Sequence, residues 1–113
     1  MVQKTIKTIS YDRENDILFL HKGFSEREKF KGNMDIGNLI LDVSTTGRIR
    51  GIEIIEASEF LKEFKIGQSI LQNIKDAEFE TKTTPTSITI GLTLKTKNQE
   101  IPAKIAVPLQ TKF

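Results

Sequence analysis

Between Ser87 and Lys95 apolar and polar residues alternate without interruption, Ile88, Ile90, Leu92 and Leu94 against Ser87, Thr89, Thr93 and Lys95. Successive side chains of an extended chain point to opposite faces, so this period of two predicts a strand with one buried and one wet face. Ile101, Ala103, Ile105 and Val107 repeat the pattern after the turn Lys97-Asn98-Gln99-Glu100. Pro102 and Pro108 have no N–H to give a neighbour, which confines this last strand to an edge or margin of its sheet.

Strand signals recur earlier. Lys4 to Tyr11 and Ile17 to His21 flank the polar run Asp12-Arg13-Glu14-Asn15-Asp16 and predict a first hairpin. Leu39 to Val43 and Ile49 to Ile55 flank Ser44-Thr45-Thr46-Gly47 and predict a second. Between the hairpins, Lys22 to Asp35 is dense in charge, with Phe24, Phe30 and Met34 its few apolar residues, and is expected to be a long loop or a weak edge strand. After Glu56 the period lengthens. Phe60, Leu61 and Phe64 share one helical face, with Ser58 placed to cap the N-terminus and Gly67 to end the helix. A second short helix is expected behind Ser69, carrying Ile70, Leu71 and Ile74, and a strand then covers Ala77 to Thr83. The expected class is α+β: a mainly antiparallel sheet built from β-hairpins, with a short helical segment at about residues 58–74 packed on one face.

With 113 residues the chain is sized for a single domain over 1–113. The absence of cysteine excludes a disulfide framework, a thiolate nucleophile and thiolate zinc ligation, and points to the cytoplasm. Met1 to Ser10 has no apolar run of the kind a signal peptide needs, and no stretch approaches the roughly 20 apolar residues of a spanning helix, so no membrane association is expected. The net charge of +2 is too small to mark a basic surface, and all four arginines, Arg13, Arg27, Arg48 and Arg50, precede Gly51.

Two stretches together carry a family resemblance. Tyr11-Asp12, Asp16 and Leu18 stand in the first hairpin; Asp42, Gly47, Gly51-Ile52-Glu53-Ile54 and Ala57-Ser58 follow in the second. In this order they resemble the small prokaryotic family known as domain of unknown function 2283, over about residues 4–64. The chain departs from the usual pattern at Phe19-Leu20, and residues 65–113 form a C-terminal extension with a second short helix and a hairpin. The resemblance implies no reaction. By analogy it implies a small partner-binding protein of the antitoxin kind.

Candidate chemistry is sparse. Asp12, Asp16 and Asp42 would hold a hard cation through oxygen ligands if the hairpins packed side by side, but Asp and Asn at turns ordinarily bond their own backbone, and Glu53 and Glu56 add carboxylates without completing an ion-binding loop. His21, the single histidine, has no nucleophile or orienting group assignable by spacing. There is no nucleophile elbow and no glycine-rich phosphate cradle. Gly51, inside a strand, points to a bulge or to the close approach of a side chain such as Tyr11. The leading expectation is therefore a non-enzymatic, cofactor-free module that binds another protein or a second copy of itself. Arg27, Lys29, Arg48 and Arg50 are the expected contact residues. Nucleic-acid binding is the alternative, and a carboxylate metal site the third reading.

Overall fold

The computed structural model describes residues 6–109. Eight strands form two antiparallel sheets, and three short helical pieces join them. The five-stranded sheet contains β1 (Thr8–Asp12), β2 (Ile17–His21), β3 (Phe30–Ile36), β4 (Leu39–Ser44) and β5 (Ile49–Ile55), in the order β1-β2-β5-β4-β3. The second contains β6 (Asp76–Thr83), β7 (Ser87–Lys95) and β8 (Glu100–Pro108) in that order. The expected antiparallel hairpins and short helical segment are present. The strands divide between two sheets: β5 pairs with both β2 and β4 and so has no free side for the next strand, and β6 pairs with β7 instead.

The first strand is observed over Thr8–Asp12, while the beginning of its expected span, Lys4 and Thr5, lies outside the described residues. Lys22 to Asp35 divides into a loop and an edge strand. β3 reaches Ile36 and turns through Gly37, whose φ of 60° suits a two-residue hairpin turn, into β4.

The alternation in β7 has the expected consequence: Ile88, Ile90, Leu92 and Leu94 are buried. They share one core with Leu18, Leu20, Leu41, Ile52 and Ile54 from the inner face of the five-stranded sheet. β8 forms an edge of its sheet, where Pro102 and Pro108 cost no ladder bond to a further strand. In the chain between β5 and β6 lie α1 (Ala57–Phe60), a 3-10 turn (Lys62–Phe64) and α2 (Gln68–Leu71); Ala57 and Leu71 from the helices, and Leu61 and Ile66 from the residues that join the pieces, enter the core.

The helix signals are used differently from expectation. Glu56, in the left-handed region at φ 53°, precedes α1; Ser58 sits inside it and gives its hydroxyl to Asp16 at 2.6 Å. Lys65, at φ 61°, ends the 3-10 turn, while Gly67 begins α2 and Ser69 lies within it. Each piece is about one turn long, so tertiary contacts, not caps, hold it.

Candidate interaction surface

The side chains of three cross-strand rows stand on the outer face of the five-stranded sheet. One row runs Asp12, Ile17, Ile55; the next Ser10, Phe19, Glu53, Ile40, Asp35; the third Thr8, His21, Gly51, Asp42, Asn33. Ile17, Phe19, Ile40 and Ile55 are half-buried but take no part in the core. The apolar strip continues as an aromatic run. Phe19 lies 5.9 Å from His21, His21 5.0 Å from Phe24, and Phe24 6.4 Å from Phe30, between ring centroids. Phe24 is 38% exposed and Phe30 52%.

His21 is fixed at the centre of this run. Its Nδ1 accepts the Gly23 N–H at 2.7 Å, so that nitrogen carries no proton, and Nε2 faces Asp42 Oδ2 at 3.6 Å. Burial lowers its affinity for a proton, and Arg50 adds to this, against the opposing pull of Asp42. The Gly23 N–H thus occupies Nδ1, and the remaining proton of the neutral ring sits on Nε2, on the side of Asp42. The row closes over Gly51, because a Cβ there would stand 2.5 Å from His21 Cδ2 and 2.7 Å from Asp42 Oδ2. The close approach expected at Gly51 is therefore made by His21 and Asp42, and not by Tyr11. The ladder also shifts register between Asp42 and Val43, opposite Gly51 and Ile49.

The loop carrying Phe24 is tied down from behind. Glu28, only 4% exposed, accepts the Ser25 N–H at 3.1 Å and the Thr46 hydroxyl at 2.9 Å, and pairs with Arg48 at 3.2 Å and Arg50 at 3.1 Å. Burial pushes its carboxyl up, but these donors and Ser44 outweigh that and hold it below the usual carboxylate range. Arg50 also gives its Nε–H to the Gly23 carbonyl at 2.8 Å.

Among the expected contact residues, Arg27, Lys29 and Arg48 are exposed. Arg50 is 3% exposed and cannot be a contact residue; its guanidinium supports the loop, because a buried charge needs the partners it finds there. The carboxylates considered for a cation do not meet. Asp12 bonds Asn15 in its own turn. Asp16 accepts the Tyr11 hydroxyl and the Ser58 N–H and hydroxyl, while Asp42, at the other end of the sheet, accepts from Asn33 and faces His21. Among the described residues no three His, Asp or Glu side chains are placed to share an ion. Glu56 is exposed, and Glu53 stands between Phe19 and Ile40.

The aromatic run was not singled out as a surface in the sequence. A signal was present in the unbroken apolar runs Ile17 to Leu20 and Leu39 to Leu41, which make both faces of β2 and β4 apolar where alternation would leave one wet.

The fold and this face define a β-rich, two-sheet protein. The chain belongs to the family described as Protein of unknown function (DUF2283), whose model matches residues 8–58. A Methanosarcina mazei protein named "Putative hypoxanthine phosphoribosyltransferase" is 32% identical over 96 residues, covering 84% of this chain and 72% of that protein. An uncharacterised protein of Methanocaldococcus jannaschii is 34% identical over 86 residues, covering 76% and 70%. No solved structure matches the chain significantly. Among the described residues no helix is long and apolar enough to cross a membrane.

Proposed function

We propose that this protein is a non-enzymatic cytoplasmic module that binds another polypeptide through the outer face of its five-stranded sheet. The supporting observation is the continuous run Phe19, His21, Phe24 and Phe30 beside Ile17, Ile40 and Ile55, apolar surface that the protein's own core leaves uncovered. Exposed aromatics of this kind are what interfaces bury to greatest effect. The Glu28 cluster holds the Phe24 loop in place beforehand, which lowers the ordering cost of binding.

The phosphoribosyltransferase name of the Methanosarcina relative is not carried over in this reading: among the described residues, α1 and α2 have four residues each, too short to present a phosphate-binding helix N-terminus. Nucleic acid is disfavoured on this face because the three rows contain carboxylates and no lysine or arginine.

The test is photo-crosslinking in the native host with benzoylphenylalanine at position 30, and at position 89 on the outer face of the other sheet as control. A defined adduct from position 30, lost on Phe19→Ser and absent from position 89, is expected. Equal labelling from both positions, or none from position 30, overturns the assignment.

A further inference from the structure

The charge of the three cross-strand rows runs against the charge of the whole. The chain carries a net +2, yet the three rows hold Asp12, Asp35, Asp42 and Glu53 and no lysine or arginine. Two of these carboxylates are satisfied within the protein, Asp12 by Asn15 and Asp42 by Asn33. The carboxylates of Glu53 and Asp35 have no hydrogen-bond or ion-pair partner among the described residues. Glu53 is half-buried and shares its row with Phe19 on one side and Ile40 on the other.

A carboxylate in an apolar row loses hydration when that row is covered, and the loss is recovered only if the covering surface brings an opposite charge. Lysine and arginine do this well, because their aliphatic stems lie along apolar surface while the charged head reaches the acid. Phe24 and Phe30, both exposed, are aromatic rings of the kind that attract a cation.

We infer that the partner bound here is a cationic amphipathic segment of another chain, its apolar stripe on Ile17, Phe19, Ile40 and Ile55 and a lysine or arginine on Glu53. This rests on the interaction-module reading and adds the chemistry of the partner. A second copy seated face to face with its twofold axis near Glu53 would set that carboxylate against its own counterpart, which like-charge repulsion opposes. The exposed Arg27, Lys29 and Lys31 lie toward the Phe24–Phe30 end and give a head-to-tail copy one route, which the experiment separates.

The full chain is titrated by fluorescence anisotropy against three labelled 15-residue peptides: an amphipathic Leu/Lys helix, its Leu/Glu counterpart, and an all-polar Lys/Ser peptide of the same charge. The Leu/Lys peptide is expected to bind at least tenfold more tightly than either control. Glu53→Lys with Asp35→Lys, checked for an unchanged urea midpoint, is expected to lose that preference, and Phe24→Ser with Phe30→Ser to weaken binding several-fold. Binding of the Leu/Glu peptide equal to the Leu/Lys peptide, with the phenylalanine dependence intact, overturns the cationic partner and leaves the interaction face standing. Leu/Lys binding insensitive to both variants overturns the inference as non-specific charge attraction. A concentration-dependent dimer in sedimentation velocity, abolished by Phe19→Ser, assigns the face to a second copy and overturns it too. Binding of none of the peptides, with no adduct from position 30, removes both readings.

Discussion

Gly51 shows how a single missing atom shapes the site. His21 and Asp42 come together over β5 only because the residue between them has no Cβ. Gly51→Ala is expected to destabilise the fold by about 1–3 kcal/mol, the usual cost of overpacking a filled site, read from the urea midpoint. Combined with His21→Ala, the loss should be smaller than the sum of the two single effects, since the second change removes one of the two clashing groups. Glu28 makes a different kind of demand. Glu28→Gln leaves Arg50 buried without its anion and is expected to cost about 3 kcal/mol; the Arg48 side of the cluster, exposed to water, adds little. The sign of its pH dependence follows from the lowered acidity range. Because the folded carboxyl sits below its ordinary value of 4.5, the unfolded chain binds the extra proton as the pH falls past that value. The stability Glu28 contributes is full above about pH 5 and is lost progressively toward its folded value. Urea titrations between pH 6 and 3 should therefore fall more steeply for the wild type than for Glu28→Gln. Lys22 works in the opposite sense. Burial, then Arg50 and Arg48, pushes its amine down to about 8, and its Nζ lies 4.2 Å from the Phe79 ring centroid. The unfolded chain holds that proton up to about 10.5, so stability should rise from pH 8 to 10, and Lys22→Met should flatten the rise.

At the scale of elements, the residues that carry the family resemblance build a clasp. Asp16, left-handed at φ 55°, ends the first turn and accepts the Tyr11 hydroxyl at 2.6 Å and the Ser58 N–H and hydroxyl, while its carbonyl accepts the Ala57 N–H at 2.8 Å. One residue thus joins β1, the turn before β2 and the start of α1, and sets where the chain leaves the five-stranded sheet. Burial, with Asp16 second, pushes the Tyr11 phenol up to about 12. Tyr11 is the single tyrosine, so absorbance titration near 295 nm reads it directly. Asp16→Asn tolerates the same backbone angle but carries no charge; it should bring the phenol back toward 10 and lower the thermal midpoint by several degrees.

At the scale of the whole molecule, the family model ends at residue 58, but the inner face of the five-stranded sheet does not end with it. Leu18, Leu20, Leu41, Ile52 and Ile54 are covered by the sheet of β6–β8. A fragment of residues 1–74 would expose that face to water. It is expected to lose the dispersed amide spectrum of the intact chain and to aggregate, because an isolated apolar sheet face has no second layer to pack against. Dispersed, monomeric spectra from the fragment would show that the first sheet finds other cover.

Sequence by itself determined the strands whose patterning is local. The period-two runs of β7 and β8, the turn between β4 and β5 and the confinement of the proline-bearing last strand to an edge all follow from side-chain alternation and missing donors. The helical region was legible as a change of period, but not its division into three pieces, because Ser58 is drawn into the Asp16 clasp and leaves capping to backbone geometry at Glu56. Only the tertiary structure decided that Arg50 is buried support and that the exposed Phe24 and Phe30 continue, through His21, a run that starts at the half-buried Phe19. Residues distant in sequence become neighbours through strand order and register, and a pattern of residue types along the chain does not specify which strands will lie side by side.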